Sequence, residues 1–168
     1  MEYTWHVLSP LGGITLAGGG EALSGLWFDG QKHFPSTFTP ARESKRLPVF
    51  GETERWLDIY FSGKDPGFTP QLCLRGTAFQ RTVWDILRSI PYGSTVTYGE
   101  IARRITAARM SAQAVGGAVG RNPVSLIVPC HRVVGADGRL TGYAGGIERK
   151  RFLLQMEQGA DFHCKWMP

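Results

Sequence analysis

The hydrophobic pattern of this chain changes its period near residues 75–77, and this change limits the folds that the chain can adopt. Before that point, apolar residues occur in short β-rich runs separated by glycine-rich turns. After it, they recur at the spacing of an α-helix. Separate strand-rich and helical regions are typical of an α+β fold, and 168 residues suffice for two small packed domains. We therefore predict an α+β fold with domains at residues 1–75 and 76–168.

The first domain is predicted to contain an antiparallel meander and one helix. The strands are expected at Tyr3–Leu8, Ile14–Ala17 and Leu23–Phe28. Apolar residues at helical spacing predict a helix over residues 49–62, and a last short strand is expected at Gln71–Leu74. We expect a ribonuclease-H-like arrangement that supports the second domain and has no chemistry of its own.

The second domain is predicted to be mainly helical. Thr77 is a suitable N-cap for a helix whose apolar face includes Val83 and Leu87. Further helices are expected at Tyr98–Arg104, Ala112–Val119 and Ile147–Gln158. The helices at Tyr98–Arg104 and Ala112–Val119 are short and joined by a brief link, a pattern that favours a helix-turn-helix.

A buried extended segment is expected at Val124–Val128, immediately before Pro129, Cys130 and His131. Most buried cysteines are inert, and Cys73 and Cys164 are interpreted in that way. Cys130 differs because a neighbouring imidazole or positive charge raises the thiolate fraction, and the thiolate is the nucleophile. His131 cannot point the same way as Cys130 along an extended backbone, so contact requires a turn or an intervening water.

The cysteine count and hydropathy exclude several classes of protein. Three scattered cysteines match neither a disulfide framework nor a structural zinc site. No run approaches the ~20 apolar residues that span a bilayer, and the N-terminus lacks a signal-peptide pattern. We expect a cytoplasmic monomer without a metal or another cofactor.

Positive charge is concentrated in the second part of the chain. Residues 1–74 hold 6 Lys/Arg against 8 Asp/Glu, whereas residues 75–155 hold 12 against 4. This asymmetry favours a polyanionic partner, although a solvated basic surface is the alternative. The segment 112–120 is almost free of bulky side chains, and each helical glycine there costs about 1 kcal/mol relative to alanine. Close helix packing would explain this, but the flanking Arg109 and Arg121 favour entry into a DNA groove.

The run from Asn122 to Gly135, with Pro129-Cys130-His131-Arg132 at its centre, resembles the active-site signature of the O6-alkylguanine-DNA alkyltransferases. Further similarities lie at residues 79–84, 92–93, 98–102, 114–118, 141–146 and 149–157, so the resemblance covers about residues 75–159. The first domain fits this family only in its length and strand-rich character.

The resemblance implies a role for each matching residue in the acceptor site. Cys130 would accept the alkyl group, and His131 would take its proton through an ordered water. Glu157 would hold the His131 tautomer, and Arg132 would buttress the site. Asn122 would occupy the hinge between the helix-turn-helix and the acceptor segment.

The resemblance also implies contacts with the substrate, which would be double-stranded DNA bearing an alkylated base. Tyr98 would crowd the 3′ phosphate and aid nucleotide rotation. The guanine pocket would be lined by Val133, Tyr143, Ala144 and Gly145. The DNA-binding residues would be Arg109, Gln113, Ala114, Gly116, Gly117 and Arg121. Gln113 departs from the family pattern, in which many members carry an arginine that fills the vacated stack.

The implied activity is a single, irreversible transfer from O6-alkylguanine to Cys130 after nucleotide flipping, with activity on O4-alkylthymine left open. One rival interpretation is a cysteine hydrolase, which would turn over without DNA. Another is a non-catalytic lesion sensor, but such proteins lack the acceptor cysteine.

Overall fold

The computed structural model describes residues 2–31, 43–105 and 111–159. Within those ranges, the predicted α+β class is confirmed: the chain forms a three-stranded antiparallel sheet, one parallel strand pair and five α-helices. It divides into two compact units. Unit 1 comprises Met1–Arg75 with Pro123–Ser125, and unit 2 comprises Gly76–Asn122 with Leu126–Pro168. Arg109 and Cys164 lie outside the described residues.

The sheet of unit 1 is the predicted meander, in the order β1 (Tyr3–Ser9), β2 (Gly12–Gly19) and β3 (Ala22–Phe28). Its register pairs Val7 with Ile14 and Ile14 with Phe28. The β2–β3 turn contains Gly20 at a φ of 59°, a conformation that glycine adopts without steric cost.

Both outer edges of this sheet are partly covered by short segments of unit 1. Thr4 of β1 pairs with Ser44, whereas Leu23 and Leu26 of β3 pair with Leu72 and Val124. The strand predicted at Gln71–Leu74 is therefore reduced to a single bridge at Leu72. Such coverage occupies edge groups that would otherwise be free to pair with another chain.

Helix α1 (Pro48–Phe61) contacts all three strands and closes the core of unit 1. Proline in its first turn is compatible with a helix start, because the first amide hydrogens have no helical acceptor. The fully buried side chains of this core belong to sheet and helix residues. They include Ile14, Leu16, Leu23, Leu26, Phe28, Phe50 and Tyr60.

Unit 2 contains helices α2 (Ala78–Arg88), α3 (Tyr98–Arg104), α4 (Ala112–Gly120) and α5 (Ile147–Gln158). Capping boxes at Thr77 and Thr97 start α2 and α3. Helix α4 contacts both α2 and α3, and the indole of Trp84 donates to the Ala118 carbonyl at 2.9 Å. Strands β4 (Val96–Thr97) and β5 (Val133–Val134) form the parallel pair. No helix in the described ranges has the length and apolarity needed to cross a bilayer.

The prediction of an extended segment at Val124–Val128 is wrong, although all five side chains are buried as expected. Only Val124 forms a bridge; the chain then turns, and Leu126 adopts a φ of 72°. The Asn122 side-chain amide donates to the Val128 carbonyl at 2.7 Å and closes this turn. A compact turn thus buries the apolar run without a strand ladder, a distinction that periodicity does not make.

Candidate active site

Cys130 lies at the start of a 3-10 turn, Cys130–Arg132, rather than on an extended strand. Its amide donates to the Val128 carbonyl at 2.8 Å, and Arg132 N donates to the Pro129 carbonyl at 3.0 Å. The turn provides the change of backbone direction that the sequence analysis required between Cys130 and His131.

The Cys130 thiol is free and only 5% exposed, whereas Cys73, which was interpreted as a buried cysteine, is exposed. Burial raises its pKa, because the thiolate loses solvation in an apolar environment. Hydrogen bonds from Asn122 and Tyr143 and the positive charge of Lys150 oppose this rise. The protein therefore surrounds a buried thiol with groups that stabilise its ionised form.

The side chains of His131, Arg132 and Glu157 form a buried ionic cluster. His131 Nε2 lies 2.5 Å from Glu157 Oε2, and Arg132 Nε donates to Glu157 Oε1 at 2.7 Å. Arg132 Nη1 also donates to the Ile90 carbonyl at 2.7 Å, so its guanidinium joins the segment just after α2 to the Cys130–Arg132 turn. The predicted residues are thus brought together within hydrogen-bonding distance, and the Arg132–Glu157 contact has the length of a charge-assisted hydrogen bond.

The charge states of this cluster follow from its contacts. Burial alone would raise the pKa of Glu157, but its contacts with His131 and Arg132 lower it to about 2. Burial lowers the pKa of His131, and Glu157 only partly opposes this effect. At neutral pH, Glu157 is an acceptor, so His131 Nε2 carries the donated hydrogen and Nδ1 is the basic nitrogen.

The β4–β5 pair determines how Tyr98 is placed relative to the Cys130–Arg132 turn. Val133, directly after the turn, pairs with Val96, and Thr97 at the end of β4 caps the helix that begins with Tyr98. The Tyr98 hydroxyl accepts a hydrogen bond from Thr141 Oγ1 at 3.0 Å. Burial raises the pKa of Tyr98, so its phenol is protonated at neutral pH.

The predicted pocket residues lie in two short segments of unit 2. Val133 is fully buried in β5, and the loop before α5 contains half-buried Tyr143 and Ala144 and buried Gly145. The Tyr143 and His131 rings meet edge to face, with centroids 6.5 Å apart. Tyr143 therefore contacts both the His131 ring and the Cys130 thiol.

Lys150 also belongs to this site, although it was not predicted from the sequence, and its side chain is fully buried. Its Nζ donates to the Thr141 and Gly142 carbonyls at 3.4 and 3.5 Å. Burial lowers its pKa to about 8, and the charge of Cys130 opposes this effect. A spacing of seven residues places Lys150 on the same face of α5 as Glu157, and this spacing was the signal that could have identified it.

The predicted DNA-binding residues of α4 lie mainly on one exposed face. Gln113, Ala114 and Gly117 are exposed, as is Arg121 just after the helix. Gly116 instead faces the Tyr98 ring, whose nearest atoms would lie 3.8 Å from an added Cβ. An added Cβ at Gly117 would meet nothing within 4 Å. The small residues thus serve close packing at one position and leave an open surface at another.

These features define a site suited to nucleophilic chemistry by a thiolate. It combines a buried thiol, a basic imidazole nitrogen, an ionised carboxylate and a protonated phenol within unit 2. In the described ranges, no group of three His, Cys, Asp or Glu side chains is arranged to hold a metal ion.

Comparison with known proteins gives a consistent result. The family profile described as 6-O-methylguanine DNA methyltransferase, DNA binding domain, matches residues 78–159. The methylated-DNA–protein-cysteine methyltransferase of Mycobacterium tuberculosis is 49% identical over 152 residues, which cover 89% of this chain and 88% of that protein. The protein of the same name from Methanosarcina acetivorans is 47% identical over 152 residues, which cover 89% of this chain and 94% of that protein.

Solved structures extend this similarity to the three-dimensional fold. The Mycobacterium tuberculosis O6-methylguanine methyltransferase superposes with a TM-score of 0.81 at 45% identity, covering 96% of this chain and 97% of that one. A structure of the Mycobacterium tuberculosis OGT protein in complex with DNA gives a TM-score of 0.83 at 45% identity. The match covers 93% of this chain and 92% of that chain.

Proposed function

Because the chain belongs to the methylated-DNA–protein-cysteine methyltransferase family, we propose that it repairs duplex DNA by transferring an alkyl group from O6-alkylguanine to Cys130. The observation that carries this proposal is the free, buried Cys130 thiol beside the His131–Glu157 hydrogen bond. The Mycobacterium tuberculosis relative solved in complex with DNA supports DNA as the partner.

The first step is removal of the thiol proton. Nδ1 of neutral His131 accepts this proton through a water molecule, while Glu157 accepts the hydrogen on Nε2 and stabilises the imidazolium that forms. Arg132 keeps Glu157 ionised throughout. Asn122 and Tyr143 donate hydrogen bonds that stabilise the Cys130 thiolate.

The second step is a displacement at the alkyl carbon. The thiolate electron pair forms a bond between sulfur and the alkyl carbon, and the bond from that carbon to guanine O6 breaks. The electron pair of the broken bond goes to the guanine, which takes a proton from the Tyr98 phenol. The thioether product has no good leaving group, so Cys130 is not regenerated and each molecule acts once. O4-alkylthymine, with its alkyl group on a comparable exocyclic oxygen, is a second substrate.

The target nucleotide must leave the stack to reach a buried thiol, which costs a few kcal/mol. Phosphate contacts from basic residues offset this cost without reading sequence. The exposed face of α4 carries the small residues Ala114 and Gly117, so the helix backbone can approach the DNA groove closely. Gln113 occupies the space that the nucleotide leaves in the base stack. Tyr98 crowds the 3′ phosphate and aids the rotation.

The same proposal assigns roles to the two parts of the chain. Helices α3 and α4, which contact each other, form a helix-turn-helix. Residues 76–168 form the DNA-binding and acceptor domain, and residues 1–75 form a support domain. The meander and α1 of unit 1 support a ribonuclease-H-like arrangement of that domain.

Intact-protein mass spectrometry tests the transfer. The protein is incubated with a duplex oligonucleotide that contains one O6-methylguanine, and we expect a gain of one methylene mass that maps to Cys130. Cys130→Ser should show no gain, whereas the matched variant Cys73→Ser, at an exposed cysteine, should gain mass like the wild type. If the wild type binds the lesion with no change in mass, the protein is a lesion sensor and the proposal fails.

A further inference from the structure

Thr141 lies in the loop before α5 and contacts the active site through its hydroxyl. Thr141 Oγ1 donates to the Tyr98 hydroxyl oxygen at 3.0 Å. A phenol has one hydrogen to donate and also accepts hydrogen bonds. When Thr141 fills an acceptor position of the Tyr98 oxygen, the phenol hydrogen is left for a different acceptor.

We propose that Thr141 is a positioning residue, which holds the Tyr98 hydroxyl so that its hydrogen points at the departing guanine. This inference rests on the proposed function. It extends that function by assigning a role to a side chain that does not itself touch the substrate. The same hydrogen bond stabilises negative charge on the Tyr98 oxygen as its proton leaves, because a donor favours the ionised form of its acceptor.

Two further contacts fix the position of Thr141. An added Cβ at Gly135 would lie 2.9 Å from Thr141 Cγ2, so the methyl group packs closely against the loop after β5. The buried Lys150 ammonium donates to the Thr141 carbonyl at 3.4 Å. Thr141 is therefore held at its methyl group and at its carbonyl while its hydroxyl reaches Tyr98.

The electrostatics of Tyr98 agree with this geometry. Burial raises the pKa of Tyr98, the hydrogen bond from Thr141 lowers it, and the nearby Cys130 charge raises it. Loss of the Thr141 hydroxyl should consequently make Tyr98 a weaker proton donor. It should also release the phenol to rotate toward other partners.

Two substitutions separate the hydroxyl of Thr141 from its methyl group. Thr141→Val keeps a methyl group and loses the hydroxyl, whereas Thr141→Ser keeps the hydroxyl and loses the methyl. With the duplex that contains O6-methylguanine, we expect single-turnover transfer to slow about tenfold in Thr141→Val, the contribution of one hydrogen bond to the barrier. Thr141→Ser should stay within about twofold of the wild type.

Three control measurements show where the effect arises. Affinity for the methylated duplex and the rate of Cys130 alkylation by iodoacetamide should match the wild type in both variants, because neither requires proton donation by Tyr98. The ¹³C NMR signal of Tyr98, identified with Tyr98→Phe, should titrate at higher pH in Thr141→Val and return to its wild-type position in Thr141→Ser. Thr141→Val should add no further loss to Tyr98→Phe.

The outcomes are distinct. Equal transfer rates in both variants, or slowing in Thr141→Ser alone, would overturn the positioning role. A wild type that acquires no methyl group would instead refute the proposed function. If valine prevents folding, Thr141→Ala compared with Thr141→Ser provides the same comparison, since these two variants differ only by the hydroxyl.

Discussion

Glu157 is a buried carboxylate on which several hydrogen bonds around the Cys130 turn converge. Its carboxylate accepts from His131 Nε2, Arg132 Nε and the Gly93 amide. Sequence patterns placed Glu157 on the last helix, from which it could orient the His131 imidazole, and resemblance to a known family gave it the role of holding the His131 tautomer. Pairing between positions 26 residues apart depends on tertiary packing, which local periodicity does not encode.

The buried carboxylate makes stability depend on pH. The pKa of Glu157 falls from 4.5 to about 2 on folding, so its contribution is complete above pH 4.5 and is lost as pH falls through about 2. Glu157→Gln should lower the free energy of unfolding at neutral pH by on the order of 3 kcal/mol. The substitution should also reduce the change in the free energy of unfolding between these two pH values, as measured by urea denaturation.

Glu148→Gln is the matched control on the same helix, because the Glu148 side chain is 83% exposed and pairs with Arg151, three residues along the helix. Its denaturation profile should follow the wild type. An unchanged pH dependence in Glu157→Gln would contradict the buried ionic cluster of His131, Arg132 and Glu157.

Burial of Lys150 could not be predicted from its residue type, since lysine is rarely buried completely. Its ammonium lies near the Cys130 thiol and stabilises the Cys130 thiolate while Lys150 is protonated, below a pKa of about 8. Lys150→Met should shift the pH–rate profile of Cys130 alkylation by iodoacetamide toward higher pH. A shift of one unit slows the reaction at pH 7 about tenfold.

Lys64→Met makes the same chemical change at an exposed lysine in unit 1 and should leave the profile unchanged. If Lys150→Met and Lys64→Met give the same profile as the wild type, the ammonium has no influence on the thiol.

At the scale of elements, sequence predicted most helices and strands because their boundaries depend on local chemistry. Thr97 and Ser111 accept amide hydrogens at the starts of α3 and α4, as capping rules require. The segment 124–128 was predicted incorrectly, because burial of a short apolar run is compatible with a strand or a turn. The turn depends on the Asn122 side chain and a positive φ at Leu126, and neither follows from hydropathy.

Helix α4 allows stability and DNA binding to be separated at one position. Gly117 is exposed and has space around an added Cβ, so Gly117→Ala should stabilise the protein by about 1 kcal/mol through helix propensity. Gly117→Leu should weaken binding to duplex DNA by about tenfold or more, because its side chain would obstruct a close approach to the groove. Thermal unfolding and fluorescence anisotropy measure the two effects.

Weaker DNA binding is expected in Gly117→Leu and not in Gly117→Ala. A leucine variant that is folded and binds DNA as tightly as the alanine variant would show that this face of α4 does not approach the duplex.

At the scale of the whole molecule, the chain divides into two units but not at a single point. Residues 123–125 belong to unit 1, whereas the residues on either side of them belong to unit 2. The change of periodicity near residues 75–77 could not reveal this return, because a three-residue segment that pairs with β3 has no period of its own. The charge asymmetry was visible in the sequence, since it needs only a count of residues.

The most direct test of the account is the stoichiometry of transfer with DNA in excess. The protein is titrated with duplex DNA carrying isotopically labelled O6-methylguanine, and the label bound to protein is measured at completion. We predict a plateau of one methyl group per molecule, all on the peptide that contains Cys130, with unmodified guanine left in the DNA. Continued turnover beyond one equivalent, or label on another residue, would contradict the role of Cys130 as a single-use acceptor.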